Sequence, residues 1–157
     1  MTIRRLMDHT DPDFNLFASP FYLIAHADFK YHEDLDKVMA KHGVDRTTYR
    51  LLTVLKQEGP ANIKVVCNHA LLKRSTGGRA IERMKEKGWV RTTLNAVDNR
   101  VTDVELTPAA LKITSELQKV AGRQLHRAMD GLSSAEIRQF DSLLRRIVEN
   151  LSRLQIE

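Results

Sequence analysis

The chain has 157 residues, of which 42% are hydrophobic and 29% are charged, and its formal net charge is +5. This composition predicts a globular protein with one well-buried core, and an aromatic content of only 6% favours helices over an all-β fold. The single cysteine, Cys67, excludes an intrachain disulfide framework and a CxxC metal site. The first residues do not resemble a signal peptide, and no run approaches the roughly 18 apolar residues of a membrane span, so we expect a cytoplasmic protein with no membrane partner.

Helix signals follow one another along the first half of the chain. Residues 1–18 predict a loosely structured arm whose apolar side chains pack on another surface. Three helices are predicted after it, and each begins at a residue that can accept a hydrogen bond from a free backbone N–H. These N-cap residues are Ser19, Asp45 and Asn62. Gly43 is the expected end of the first helix, and Gly59 with Pro60 ends the second.

The most informative stretch is 74–106, where a basic helix leads into two short β-prone runs. The helix is predicted from about Lys73 to Lys87, with Ala80, Ile81 and Met84 on its buried side, and it carries six basic residues against two acidic ones. The two runs, 89–94 and 101–106, predict strands on either side of a polar tip. A helix followed by a charged hairpin is the layout of a winged helix-turn-helix, and such a concentrated positive stripe suits a polyanion.

Two further helices are predicted after the hairpin. Thr107 with Pro108 begins one of them, and a capping box of Ser133 and Glu136 begins the other. The first and the last two helices carry apolar stripes, and each needs a partner surface to bury its stripe. The fold predicted is therefore mainly α with a small β-hairpin wing, in which the N- and C-terminal helices form an intertwined dimerisation domain.

This interpretation divides the chain into three parts. They are an N-terminal arm with the first dimerisation helix (1–43), a winged helix-turn-helix head (44–106) and the C-terminal dimerisation helices (107–157). Apolar residues of the arm and of the last helix are the dimerisation candidates. They are Phe14, Phe17, Leu144, Ile147, Leu151 and Leu154.

The order of elements and five short motifs resemble the MarR family of bacterial transcription regulators. The motifs are Gly59-Pro60, Arg74-Ser75-Thr76 with Arg79, Lys87-Gly88-Trp89-Val90, Asp98-Asn99-Arg100 and Leu106-Thr107-Pro108. The resemblance covers roughly residues 19–155 and is most specific over 59–108. It implies a homodimer that binds double-stranded DNA at a pseudo-palindromic operator, usually as a repressor that a small ligand or an oxidant releases. We expect no enzyme activity and no cofactor.

The candidate DNA-binding residues lie on the fourth helix and on the wing. Ser75, Thr76 and Arg79 are expected to face base edges, and Arg79 is the candidate for a bidentate contact to guanine. At the wing, Arg100 is expected to reach the minor groove or its phosphates, with its guanidinium oriented by Asp98. The remaining candidates are expected to hold the DNA backbone. They are Lys73, Arg74, Arg83 and Arg91.

Two consecutive glycines, Gly77 and Gly78, depart from the family pattern near the start of the fourth helix. Each costs roughly 1 kcal/mol relative to alanine in a helix. Two interpretations stay open, a first turn that only DNA binding orders or a close approach of the backbone to bases or phosphates. The second adds Gly78 to the DNA-binding candidates. Cys67, in the preceding helix, is expected to be a packed core residue.

A small-molecule effector site is also expected, because the family places one between the dimerisation helices and the DNA-binding head. The candidates are His26, Phe29, Lys30, Arg46, Tyr49 and Arg50. Aromatic faces beside cations suit a phenol or an aromatic carboxylate, although aromatic residues at helical spacing are ordinarily core. No metal site is expected, because His26 and His32 point in different directions on one helix and only Asp28 and His32 share a face.

Two other classes of function compete with a DNA-binding regulator. An enzyme is disfavoured, because the sequence has no Gly-rich phosphate loop, no metal signature and no nucleophile motif. The alternative is a winged-helix protein-interaction or architectural module without ligand control. The basic stripe and Arg100 argue against it, since a protein-binding wing would not need this charge and its affinity would not fall steeply with salt.

Overall fold

The computed structural model describes residues 4–95 and 101–153 of a mostly helical chain. The elements are α1 (Arg4–Met7), a 3-10 turn (Leu16–Ala18), α2 (Pro20–Lys41), α3 (Arg46–Glu58), β1 (Ala61–Asn62), α4 (Ile63–His69), α5 (Arg74–Glu86), β2 (Val90–Leu94), β3 (Thr102–Leu106), α6 (Pro108–Ala128) and α7 (Ser134–Arg153). The prediction of a mainly α fold with a small wing is confirmed. Among the described residues, no helix is long and apolar enough to cross a membrane.

The three predicted helix starts are confirmed. The side chains of Ser19, Asp45 and Asn62 each accept a hydrogen bond from the backbone N–H three residues further on, at 3.3, 2.7 and 3.0 Å. Gly43 and Gly59 adopt φ angles of 65° and 77°, which side-chain-bearing residues rarely adopt, and they end α2 and α3 as predicted.

Removal of one N-cap should have a measurable cost. Asn62→Ala is expected to lower the free energy of unfolding by about 1 kcal/mol, because the N–H of Val65 loses its acceptor at the start of α4. Asn68→Ala on the same helix is the matched control, since Asn68 is exposed and caps nothing at that helix start. Urea unfolding of the two variants checks this, and equal losses would contradict the capping role.

The wing is a three-stranded antiparallel sheet with strand order β1-β3-β2. β2 and β3 pair from Val90↔Leu106 to Leu94↔Thr102, which confirms the predicted hairpin. The two residues of β1 pair with Val104 and Asp103 on the other edge of β3 and were not predicted to form a strand. This edge connects the start of α4 directly to the wing.

The chain divides into two compact units, residues 1–122 and 123–157. The first unit contains one hydrophobic core, built from one face of each of α2 to α6 and from β3. Its largest fully buried side chains are Leu35, Met39, Leu51, Leu52, Ile81, Met84 and Leu117. This core supports α4, α5 and the sheet as one body.

The N-terminal arm is more ordered than the sequence predicted. Instead of a loose segment, the described part contains α1 and the 3-10 turn, and Arg5 is ion-paired with Asp13. Phe14 stacks on His9 with ring centroids 4.2 Å apart. The prediction of a loosely structured arm was wrong for residues 4–18, because these local contacts stabilise it.

The second unit contains the end of α6 and all of α7. The predicted capping box is confirmed, since Ser133 Oγ accepts from the Glu136 N–H at 3.3 Å and Glu136 Oε2 accepts from the Ser133 N–H at 2.8 Å. None of the residues of Ser134–Arg153 is buried. The apolar stripe of α7 is therefore largely exposed within the chain, with Phe140 at 47% and Leu151 at 55% exposure.

Candidate nucleic-acid interface

Helices α4 and α5 form a helix-turn-helix. The turn between them includes Leu71, which has a positive φ of 55°, and the Leu72 N–H donates to the Cys67 carbonyl at 2.9 Å. Ala80, Ile81 and Met84 bury one face of α5 in the core, as predicted. The opposite face is thereby directed to solvent. It exposes Ser75, Thr76, Arg79 and Arg83.

The N-terminal end of α5 carries positive charge that no described carboxylate neutralises. Lys73 occupies the N-cap position without a side-chain capping bond, so the first N–H groups of the helix lack a side-chain acceptor there. Among the described residues, Lys73, Arg74 and Arg79 are in no ion pair within 4.0 Å. Free N–H groups and unpaired cations at a helix start favour a phosphate or another anion.

A cleft of about 250 Å³ lies beside this end of α5. Lys64 from the start of α4 and Arg74 from the start of α5 line it, together with Thr102 at the start of β3. Lys64 was not among the sequence candidates, because it lies outside the basic stripe of 73–87. The pairing of β1 with β3 places the start of α4 beside the start of β3, and the local sequence does not show this neighbourhood.

The cations nearer the end of α5 are held by the protein itself. Lys87 Nζ donates to the Gly43 carbonyl at 2.8 Å and lies 4.6 Å from the centroid of the Trp89 ring. Arg83 Nη2 lies 3.8 Å from a carboxylate oxygen of Asp45. The end of α5 is therefore attached to the turn between α2 and α3, and its charge is partly compensated.

Asp45 pairs with Arg83 as an ionised carboxylate. Partial burial raises the pKa of this carboxyl, but hydrogen bonds from the Thr48 N–H and hydroxyl lower it more, with help from Arg83 and Lys87. The net pKa lies below the ordinary aspartate value, so the carboxylate is charged at neutral pH.

In the described part of the wing, side-chain hydrogen bonds connect the two arms of the hairpin. Arg91 Nε donates to Glu105 Oε2 at 2.8 Å, and Asn95 Nδ2 donates to Asp103 Oδ2 at 2.7 Å. Arg91 remains exposed, and its contact to the DNA backbone stays a prediction. The two tip candidates, 98 and 100, lie outside the described residues.

Cys67 is a packed residue, as predicted. It is 1% exposed, and burial raises the pKa of its thiol, with a smaller opposing effect from Arg74. A buried neutral thiol differs from a reactive thiolate, which is exposed and has a lowered pKa. The buried Gly77 of α5 lies directly against this sulfur.

The predicted effector residues lie on α2 and α3. His26, Phe29 and Lys30 are exposed on α2, and Phe29 is 58% exposed. Arg46 Nη2 donates to Asp36 Oδ2 at 2.5 Å, while Tyr49 packs half-buried against the core. Their grouping into one site stays a prediction, and Arg50 is half-buried on α3.

Arg46 also approaches a second carboxylate of α2, that of Asp28, at 3.9 Å. His32 Nδ1 lies 2.8 Å from the backbone oxygen of Asp28 and 3.2 Å from its carboxylate, so the prediction that Asp28 and His32 share a face is confirmed. Within 4–95 and 101–153, no group of three or more His, Cys, Asp or Glu residues has metal-binding geometry.

A helix-turn-helix with a polar and cationic face, followed by an antiparallel hairpin, is a winged helix-turn-helix, the class of DNA-binding regulators. The MarR family matches residues 42–100 of the chain. The HTH-type transcriptional repressor IacR of Pseudomonas putida is 30% identical over 154 residues, which span 96% of this chain and 92% of IacR. The chain belongs to the MarR family, whose members are transcription regulators and not enzymes.

Solved structures share the same fold. A MarR-family regulator from Silicibacter pomeroyi superposes with a TM-score of 0.82 at 24% identity, over 92% of this chain and 97% of that one. BpsR from Bordetella bronchiseptica, in a structure that concerns regulation of its DNA binding by 6-hydroxynicotinic acid, gives 0.76 at 19% identity, over 90% and 98% of the two chains.

Proposed function

We propose that this protein is a homodimeric, sequence-specific DNA-binding repressor that a small aromatic ligand releases from its operator. The observation that carries the proposal is the exposed face of α5. Ser75, Thr76 and Arg79 are exposed on a helix whose opposite face is buried in the core. The N-terminal end of that helix carries cations that are in no ion pair with a described carboxylate. Such a helix fits the major groove of a duplex.

The residues of this face divide by role. Arg79 reads a guanine, because its planar guanidinium matches the two acceptors that guanine presents in the major groove. Lys64, Lys73 and Arg74 hold phosphates, which fixes the register of the protein on the duplex without reading its sequence. The wing adds contacts to the backbone and the minor groove through Arg91 and Arg100, and Asp98 orients the guanidinium of Arg100. On this proposal residues 44–106 are the DNA-binding head.

The dimer is supported by apolar surface that the single chain leaves exposed. In α7 no residue of Ser134–Arg153 is buried, although its apolar residues recur at helical spacing. In the arm, Phe17 is 68% exposed. Monomeric proteins rarely expose apolar stripes of this length. Residues 1–43 and 107–157 therefore form the dimerisation region, which presents two copies of α5 to a pseudo-palindromic operator.

A phenol or an aromatic carboxylate is the proposed effector. BpsR, whose DNA binding 6-hydroxynicotinic acid regulates, supports this chemical class. In this chain the ion pair of Arg46 with Asp36 is the group that a ligand carboxylate would exchange, with Phe29 and Tyr49 as aromatic contacts. Because Arg46 links α2 to α3, a ligand that takes over its guanidinium changes how these two helices are held.

The direct test is a titration against the DNA immediately upstream of the protein's own gene, at two salt concentrations and with a panel of aromatic carboxylates and phenols. We expect tight binding that falls steeply with salt and that one class of compound reverses. Binding that no compound reverses would contradict the ligand-controlled part alone. If every segment of this upstream DNA binds with the same affinity as a scrambled duplex, the proposal of sequence-specific binding is contradicted.

The phosphate contacts can be tested separately from the base contacts. Lys64→Ala and Arg74→Ala are each expected to weaken operator and scrambled duplexes alike and to lower the salt slope of binding by about 1. Lys119→Ala removes the same charge from an exposed position on α6 and should change neither quantity. A loss of operator binding alone, with an unchanged salt slope, would contradict the phosphate assignment.

A further inference from the structure

The glycine at position 77 is required by packing. A Cβ atom built on Gly77 would lie closer than 3.0 Å to the Sγ of Cys67, 3.6 Å from the Cβ of Cys67 and 4.0 Å from that of Leu72. A Cβ on the neighbouring Gly78 would meet no described atom within 4 Å. A side chain is therefore excluded at Gly77 but not at Gly78. Neither interpretation drawn from the sequence, a frayed turn or a close approach to DNA, accounts for Gly77.

We propose that Cys67 and Gly77 are a size-matched pair that positions α5 on α4 and thereby determines which bases the protein reads. The sulfur occupies the space that a side chain at position 77 would need, so the first turns of α5 lie close against α4. Gly77 is two residues from both Ser75 and Arg79, about 3 Å along the helix axis. This inference rests on the proposed function, because it concerns the positioning of the base-reading face.

The surroundings of Cys67 make this contact a constraint on the helix. Cys67 is 1% exposed, and its neighbours Val66 and Ala70 in α4 are buried as well. Its sulfur can move only by rotation about χ1, and one of the three rotamers is disfavoured in a helix because it meets the preceding turn. A methyl group at position 77 therefore displaces α5. Hydrogen bonds to base edges tolerate only a few tenths of an ångström, so a shift of the helix misaligns them.

Four variants test the pair: Gly77→Ala, Cys67→Ala, the double variant with both changes, and Gly77→Ala with Cys67→Ser. Affinities for the operator and for a scrambled duplex are measured by fluorescence anisotropy, at a temperature where circular dichroism finds every variant folded. Gly77→Ala should lower the ratio of operator to scrambled affinity by about tenfold or more. The double alanine variant should return it to within about threefold of the natural value, because the methyl group then occupies the space of the sulfur.

Cys67→Ser keeps a γ atom in the contact and should restore little of the ratio. A purely stabilising contact would instead lower the melting temperature and leave the discrimination of the folded protein intact, which would overturn the proposal. It would also be overturned if Gly77→Ala discriminated like the natural protein, or if the double alanine variant did not recover.

The ratio of operator to scrambled affinity of the natural protein shows whether a failure concerns the proposed function or only the Cys67–Gly77 pair. If the natural protein does not distinguish the operator from the scrambled duplex, the proposed function fails before any variant is compared. If it does distinguish them and the variants behave alike, only the positioning pair fails.

Discussion

Leu151→Asp is expected to convert the proposed dimer into monomers and to weaken operator binding by about hundredfold or more. Leu151 is 55% exposed in the single chain, so the substitution leaves the fold of the protomer intact. In a dimer that buries the stripe of α7, each copy places an unpaired carboxylate in an apolar interface, at a cost of about 2–5 kcal/mol. A monomer also loses the gain from binding two half-sites at once.

The control for this prediction is Ser142→Asp, which adds the same charge at an exposed position on the opposite face of the same helix. It should leave both the mass in solution and the operator affinity unchanged. Size-exclusion chromatography with light scattering gives the mass, and anisotropy gives the affinity. A Leu151→Asp protein that remains dimeric, or a monomer that binds the operator as tightly as the natural protein, would contradict the proposed interface.

The sequence predicted those parts of the fold that depend on neighbours along the chain. Ser19, Asp45 and Asn62 cap their helices because a short side-chain acceptor reaches an N–H three residues away, which needs no tertiary information. The buried face of α5 was predicted for a similar reason, since its apolar residues recur at the helical period and only one face of the helix can meet the core.

Features that depend on the topology were not predictable in the same way. β1 has two residues, too few to display any period, and it forms a strand only because β3 lies beside it. Lys64 contributes to the candidate DNA-binding surface through that same pairing. In both cases the information lies in which segments meet, and neither the composition nor the spacing of the local sequence contains it.

Gly77 illustrates a further limit. A glycine inside a helix signals that something excludes a side chain, but not what excludes it. From the sequence, one interpretation was that DNA approaches the helix closely at the glycine, since the glycine lies within a basic segment. The structure supplies a different neighbour, the sulfur of Cys67, ten residues earlier in the chain and on the other side of a turn. A steric requirement of this kind becomes visible only when the two helices are packed together.

Arg79→Ala is expected to reduce the affinity for the operator by about thirtyfold and the affinity for a scrambled duplex far less, because a bidentate pair to guanine contributes roughly 1–3 kcal/mol of discrimination. Arg79 is exposed and is ion-paired with none of the described carboxylates, so its removal leaves no buried charge unpaired. The loss therefore measures the contact to DNA and not a defect of the fold.

Arg79→Lys separates charge from geometry. Lysine keeps the positive charge but lacks the planar pair of donors, so this variant should recover the affinity for scrambled DNA without recovering discrimination. Operator duplexes with one base pair exchanged at a time identify the guanine, since Arg79→Ala should become insensitive to the exchange at that position alone. If the variant loses affinity equally for every duplex, Arg79 holds a phosphate, and the base-reading role passes to Ser75 and Thr76 on the same exposed face.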